Sequence, residues 1–135
     1  MILLDTNVIS EPLRREPEPR VIQWIDAQLL ETLYLSAITV AELRSGIALL
    51  PAGKRRTGLQ ENLEQRILPL FAGRVLPFDL ACTQAYAELI AAGLAIAAAD
   101  GYIAAIAAAH GFAVATRDIS PFEAAGTIVI NPWQA

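Results

Sequence analysis

Apolar positions along the chain follow two alternating rhythms. Short unbroken runs at Ile2-Leu3-Leu4, residues 32–36, 74–78, 112–115 and 127–130 predict five strands. Runs without polar alternation suit strands covered on both faces. Between them the spacing turns helical. Val8-Ile9-Ser10-Glu11 predicts a short helix ending near Pro12, and the charged, proline-containing stretch from Arg14 to Pro19 predicts a loop. Glu18 or Pro19 opens a helix with Val21, Ile22, Trp24, Ile25 and Leu29 on its apolar face. Thr39-Val40-Ala41-Glu42 has capping-box spacing and predicts a helix start running to about Leu50. Pro51-Ala52-Gly53 breaks it, and a basic amphipathic helix follows from Lys54 to about Leu68, with Leu59, Leu63, Ile67 and Leu70 along one side. Asp79 caps a helix through Ala91, Gly93 marks a loop, and an alanine-rich helix spans about Ala97 to Ala109 before stopping at Gly111. Behind Thr116-Arg117, the stretch Asp118-Ile119-Ser120-Pro121 reads as turn chemistry.

Strands alternating with helices imply right-handed crossovers and a mainly parallel sheet with helices on both faces. No repeat or linker interrupts residues 1–135, so the expectation is a single α/β domain.

Composition narrows the chemistry. With 55% apolar and 18% charged residues, disorder is excluded. The longest chargeless stretches, around 89–99 and 101–116, are too short for a membrane span, and no basic, apolar leader opens the chain, so a cytoplasmic protein is expected. One cysteine, Cys82, excludes an intramolecular disulfide and a cysteine-based zinc cluster. One histidine, His110, reads as a helix-terminal residue before Gly111, and its solitude argues against a Ser-His-Asp triad. The net charge of −4 argues against nucleic-acid binding by bulk electrostatics. Setting four acids aside for a metal leaves the remaining charge balanced, and Arg14, Arg15, Arg44, Lys54, Arg55 and Arg56 are candidates for holding phosphates.

The acids carry the signal. Asp5 ends the first apolar run, at the carboxyl end of a strand, where open α/β sheets collect their ligands. Asp118 repeats that arrangement behind the fourth strand. Apart from His110, Asp100 is the only acidic or basic side chain between Glu88 and Arg117, in surroundings that would bury it. An ionised carboxylate buried alone costs several kcal/mol, so it needs a partner, a metal or a helix N-terminus. Glu42 opens a helix that follows a strand, at the same edge of such a sheet. Each acid has a plainer explanation: Asp5 or Asn7 as a helix cap, Glu42 in a capping box, Asp100 at a helix dipole, Asp118 in a turn. Together they converge on one pocket. Carboxylates so gathered require a cation, and an oxygen-only donor set favours Mg²⁺ or Mn²⁺ over zinc. Such a site suits phosphodiester hydrolysis. Neither GxxxxGK[ST] nor GxGxxG appears.

Four stretches in order carry a family resemblance: Ile-Leu-Leu-Asp-Thr-Asn-Val-Ile-Ser at the start, Ser-Ala-Ile-Thr-Val-Ala-Glu-Leu around Glu42, Ala-Ala-Ala-Asp-Gly-Tyr-Ile-Ala-Ala around Asp100, and Ala-Thr-Arg-Asp at Asp118. The chain resembles PIN domains, and most closely the VapC/FitB group of toxin–antitoxin ribonucleases, from Met1 to about Trp133. The resemblance implies a three-layer α/β/α sandwich, Mg²⁺-dependent cleavage of RNA and homodimerisation. It also implies inhibition by an antitoxin that engages operator DNA. Carried over by motif, Asp5, Glu42, Asp100 and Asp118 form the acidic, metal-holding site, with Asp5 and Asp100 as direct ligands; Asn7 and Thr116 orient ligands or water. The segment Glu88 to Ile96 departs from the family pattern, being several residues short and free of basic side chains.

Two other function classes compete with a metal-dependent endoribonuclease toxin. One is a regulatory module that keeps the fold only to bind its antitoxin and operator DNA; retention of all four acids argues against it. The other is a phosphohydrolase with a strand-end aspartyl nucleophile, which commonly wants a second acid where Asn7 stands.

Overall fold

Leu3 and Leu4 are both wholly buried although they are neighbours, because they point to opposite sides of the central strand. That strand is β1 (Ile2–Leu4). The computed structural model, which describes residues 1–135, pairs it in parallel with β2 (Leu33–Ser36) on one side and β4 (Ala113–Ala115) on the other. β3 (Val75–Leu76) and β5 (Val129–Ile130) close the two edges, also in parallel, for the order β3-β2-β1-β4-β5. The chain winds outward from β1 to β3, then returns to the other side of β1. The crevice between β1 and β4 is therefore the topological switch point of the sheet, the place where ligands bind in open α/β folds.

Each face of the sheet carries its own core. Leu4, Leu33, Leu35 and Ala115 pack with Val8, Ile9, Val21, Val40, Leu43, Ile47, Leu63 and Phe71. These come from α1 (Thr6–Ser10), α2 (Pro19–Asp26), α3 (Ala37–Ala48) and the segment following α4 (Lys54–Asn62). On the other face Leu3 and Val114 meet Cys82, Ile103, Ala104, Ile106, Ala107 and Phe122. These belong to α5 (Leu80–Ala91), α6 (Ala98–His110) and α7 (Ile119–Ala124). The expected three-layer α/β/α sandwich with five strands is what the chain forms. No helix is long and apolar enough to cross a membrane.

Apart from β1, the strands are shorter than their predicted runs. Pro77 offers no N–H to a ladder, so β3 stops at Leu76. Helix boundaries differ more. α2 ends at Asp26, which leaves Leu29 on the surface, 66% exposed, rather than on the apolar face. After Asn62 the helix widens into a π-type turn over Leu63–Ile67 and tightens to a 3-10 turn over Leu68–Phe71, where Pro69 cannot continue an α-helix. The stretch behind Asp118 is a helix, not a turn: Pro121 falls in the first turn of α7, where no intrahelical N–H is needed. His110 ends α6, and Gly111 follows in the left-handed conformation. The short connection between α5 and α6 closes through Gly93, while Leu89 and Ile96 on either side still reach the core.

Candidate active site

β1 delivers Asp5 to the switch point. Its backbone N–H donates to Ala115 O at 2.9 Å, which fixes the start of the turn into α1 against β4. The side chain is 4% exposed. Oδ1 accepts from Thr6 N at 2.8 Å, and Oδ2 accepts from the Thr116 hydroxyl at 2.8 Å and from Asn7 Nδ2 at 3.4 Å. Asp5 is thus the N-cap of α1 and a site residue at once. The two readings of its sequence position are not alternatives.

Thr116 and Asn7 tie the other strand end to this one. The Thr116 hydroxyl oxygen accepts from Asp118 N at 3.0 Å and from Asn7 Nδ2 at 3.3 Å, while Asn7 Oδ1 accepts from Arg117 N at 3.2 Å. The loop that carries Asp118 is thereby fastened to β1 through side chains. Asp118 stands at the N-cap position of α7, yet its carboxylate caps nothing and lines the site.

Glu42 does not belong to a capping box. Ser36 is the N-cap of α3, its hydroxyl oxygen accepting from Thr39 N at 3.0 Å, so α3 begins at Ala37 and Glu42 lies in the second turn. The N-cap is a serine at the very end of β2, which leaves no room for a later start. Glu42 Oε1 instead accepts from the Thr6 hydroxyl at 2.6 Å. Asp100 stands third in α6, in the first turn, and is half-buried.

The four carboxylates line one cavity of about 270 Å³ together with Thr6, Asn7 and Ser10, and none of its lining residues is hydrophobic. No cation answers them. The three ion pairs of the chain, Arg14–Glu11, Arg20–Glu18 and Arg44–Glu64, leave all four acids out. The electrostatic consequence falls on the two most enclosed acids. Burial pushes Asp5 up to about 6, against the hydrogen bonds from Thr116 and Thr6, and the neighbouring Asp100 and Glu42 charges push the same way. Burial also raises Asp100, followed by repulsion from Asp118 and Glu42.

A hard divalent cation fits this donor set in charge and in element, since every donor is oxygen. No three His, Cys, Asp or Glu side chains are disposed to enclose one ion. A cation bound here would take one or two of the carboxylates directly and complete its shell with water.

The basic candidates divide. Arg14 and Arg55 line a groove of about 280 Å³ that begins at Thr6, Ser10 and Glu42 and has Leu13, Leu43, Ile47, Leu50 and Leu59 along it. Arg15, Lys54 and Arg55 flank a second depression beside it. Arg56 reaches Leu50 O at 3.4 Å. Arg44 is drawn elsewhere: its guanidinium makes a two-pronged contact with Glu64 at 2.7 and 3.0 Å and lines neither of these grooves nor the acid cavity. Thr6 left no local signal and Thr39 showed only as a helix cap, because their contacts with each other and with Glu42 span 33 and 36 residues; Ser36, three residues before Thr39, offered a local cap signal that sequence reasoning passed over.

A PIN domain family model matches residues 2–126. The plasmid stability protein StbB of Pseudomonas syringae pv. tomato is 70% identical over the full length of both chains. VapC ribonuclease Y4jK of Sinorhizobium fredii is 64% identical over 99% of each, and toxin FitB of Neisseria gonorrhoeae is 60% identical over 98% of this chain and 99% of its own. Among solved structures, FitAcB from Neisseria gonorrhoeae superposes with a TM-score of 0.96 at 59% identity, covering both chains completely. FitAB bound to an IR36 DNA fragment gives 0.94 at 58%, covering 98% of this chain and 96% of the other. Sequence, fold and the gathering of acids at the switch point agree: the chain belongs to the PIN-domain family, within its VapC/FitB group.

Proposed function

We propose that this protein is a Mg²⁺-dependent endoribonuclease, the toxin of a toxin–antitoxin pair, which hydrolyses RNA phosphodiester bonds at Asp5, Glu42, Asp100 and Asp118. The observation that carries this reading is the single all-polar cavity holding four carboxylates and no basic side chain. Asp5 and Asp100 would hold Mg²⁺ or Mn²⁺, with Glu42 and Asp118 completing the pocket directly or through water. Bound there, the metal supplies an activated water and withdraws charge from the phosphoryl oxygens. The protein's own part is placement. Thr116 and the Thr6 N–H hold both Asp5 oxygens in place, and Thr6 holds one oxygen of Glu42. Glu42 Oε2 is left free to take a proton from the attacking water. Asn7 and Thr116 keep the Asp118 loop against β1.

Arg15, Lys54 and Arg55 would grip RNA phosphates beside the acids, whereas Arg14 is already held by Glu11 as Arg44 is by Glu64. A cognate antitoxin would lie in the groove that runs from Glu42 past Leu43, Ile47 and Leu59, and the complex would reach operator DNA through the antitoxin. The DNA part of this reading follows the related FitAB, which is bound to an IR36 DNA fragment, and the groove is chosen for its apolar lining. The working unit is a homodimer, acting in the cytoplasm where its substrate is.

The test is cleavage of a panel of structured RNAs by antitoxin-free protein with Mg²⁺, with Mn²⁺ and with EDTA, beside an Asp5→Asn control purified identically. Cutting that needs metal and is lost in the variant supports the ribonuclease. No cutting together with no Mn²⁺ binding would overturn it in favour of a regulatory module.

A further inference from the structure

Glu42 is an exposed residue on α3 whose one side-chain hydrogen bond comes from Thr6. Behind Thr6 lies a row of hydroxyls that the reaction does not touch. Thr6 Oγ1 and Thr39 Oγ1 are 3.1 Å apart, and Thr39 Oγ1 and Ser36 Oγ are 3.2 Å apart. Thr39 and Ser36 are both 0% exposed.

Proton counting orients the row. An ionised carboxylate only accepts, so the single Thr6 hydroxyl proton goes to Glu42. The contact between Thr6 and Thr39 must then be made by the Thr39 proton. The Thr39 oxygen is free to accept, and Ser36 donates to it. Ser36 in turn accepts from Thr39 N. Every hydroxyl points one way, from the N-cap of α3 to the carboxylate. In such a chain each bond polarises the next. The α3 cap does not need the Thr39 hydroxyl, since Ser36 takes the backbone N–H. Valine would fill the same volume.

We propose that Thr39 is a positioning residue of the acid site, acting through Thr6 to hold Glu42 at the cavity. This rests on the metal-dependent reading above. The row starts from backbone and strand end, the most rigid parts nearby, and it ends on the one exposed acid of the four that is carried within a helix. Its purpose is to give a surface glutamate a defined direction.

The experiment is Mn²⁺ titration of the full chain by calorimetry, for the parent, Thr39→Val, Thr39→Ser, Glu42→Ala and Thr39→Val/Glu42→Ala, with melting curves on each. Thr39→Val is expected to weaken Mn²⁺ binding about 3- to 10-fold, at or below the range usual for residues behind metal ligands, and Thr39→Ser to restore it to within about twofold. In the Glu42→Ala background Thr39→Val should make no further difference, because its route to the metal is gone. Parental binding by Thr39→Val, failure of serine to rescue, or an equal loss in the Glu42→Ala background would overturn the proposal. Should Thr39→Val fail to fold, Thr6→Val decides by the same criteria. A parent that binds Mn²⁺ but cuts none of the RNAs still decides the Thr39 proposal by binding; a parent that binds no Mn²⁺ defeats that proposal, and one that also cuts no RNA defeats the ribonuclease reading too.

Discussion

The hydroxyl of Thr116, at the end of β4, donates to Oδ2 of Asp5, at the end of β1, across 2.8 Å. The same oxygen accepts from Asp118 N at 3.0 Å. One side chain thus joins two acids that are 113 residues apart in the chain, by the parallel pairing of Leu4 with Ala115.

Thr116→Val keeps the shape and removes both of these bonds together with the one from Asn7 Nδ2. The Asp5 oxygen and the Asp118 N–H then lose a partner, a cost of roughly 1–3 kcal/mol when the groups are buried. Urea unfolding should register that loss. Mn²⁺ affinity should fall about 10- to 100-fold, as for other residues that orient metal ligands. Unchanged affinity would mean that Asp118 keeps its position without Thr116.

Asp5 gives the stability of the metal-free protein a pH dependence, in a direction that Asp100 shares. Its pKa rises from 3.8 unfolded to about 6 folded, so between these values the folded state binds more protons than the unfolded state. Stability therefore falls as pH climbs from about 4 through about 6, by at most roughly 3 kcal/mol. Urea midpoints in EDTA at pH 4.5 and pH 7 should show the fall, and Asp5→Asn should flatten it. The same variant should lose metal-dependent cleavage while melting no lower than the parent at pH 7, because one of the clustered charges is gone. Parental cleavage by Asp5→Asn would discard the assigned site.

Two glycines in helices should respond oppositely to alanine. A Cβ on Gly58 meets nothing within 4 Å, so Gly58→Ala should raise stability by about 0.5–1 kcal/mol. A Cβ on Gly101 would lie 3.1 Å from Tyr86 Cε2 and 3.4 Å from Ile96 Cγ2. Tyr86 is confined by Phe78 and Tyr102, with ring centroids at 6.2 and 5.0 Å, so it has little room to yield. Gly101→Ala should cost about 1–3 kcal/mol and, being next to Asp100, weaken Mn²⁺ binding too. Thermal melts in parallel decide both.

RNA binding should separate the basic residues. Neutralising Arg15, Lys54 and Arg55 together removes up to three phosphate contacts. The slope of log affinity against log salt should then flatten by about 2, at roughly 0.7 per contact to single strands. Arg44→Gln should leave affinity and slope unchanged, because Glu64 already occupies its guanidinium. The assay uses Asp5→Asn protein in both cases, so that the RNA survives the titration.

Much of this protein was legible in its residue order, because the signals are local. The unbroken apolar runs marked all five strands, Gly111 and Asp79 marked helix ends, and acids directly behind strands marked the ligand edge of the sheet. What failed was local too, but was overruled by neighbours. The Thr39–Glu42 spacing imitates a capping box, yet Ser36 reaches the helix first and releases Glu42 towards Thr6. Arg44 is a free cation in the sequence, while in the fold Glu64, twenty residues on, claims it. Residue order alone fixed the α/β class, the parallel sheet and the edge at which Asp5 and Asp118 emerge, since periodicity and strand-end position suffice for these. Only the tertiary structure decided which groups share the cavity and which hydroxyls hold them. Hydrogen bonds between residues 33 to 111 positions apart depend on distance in space, and the order of residues along a chain does not contain that distance.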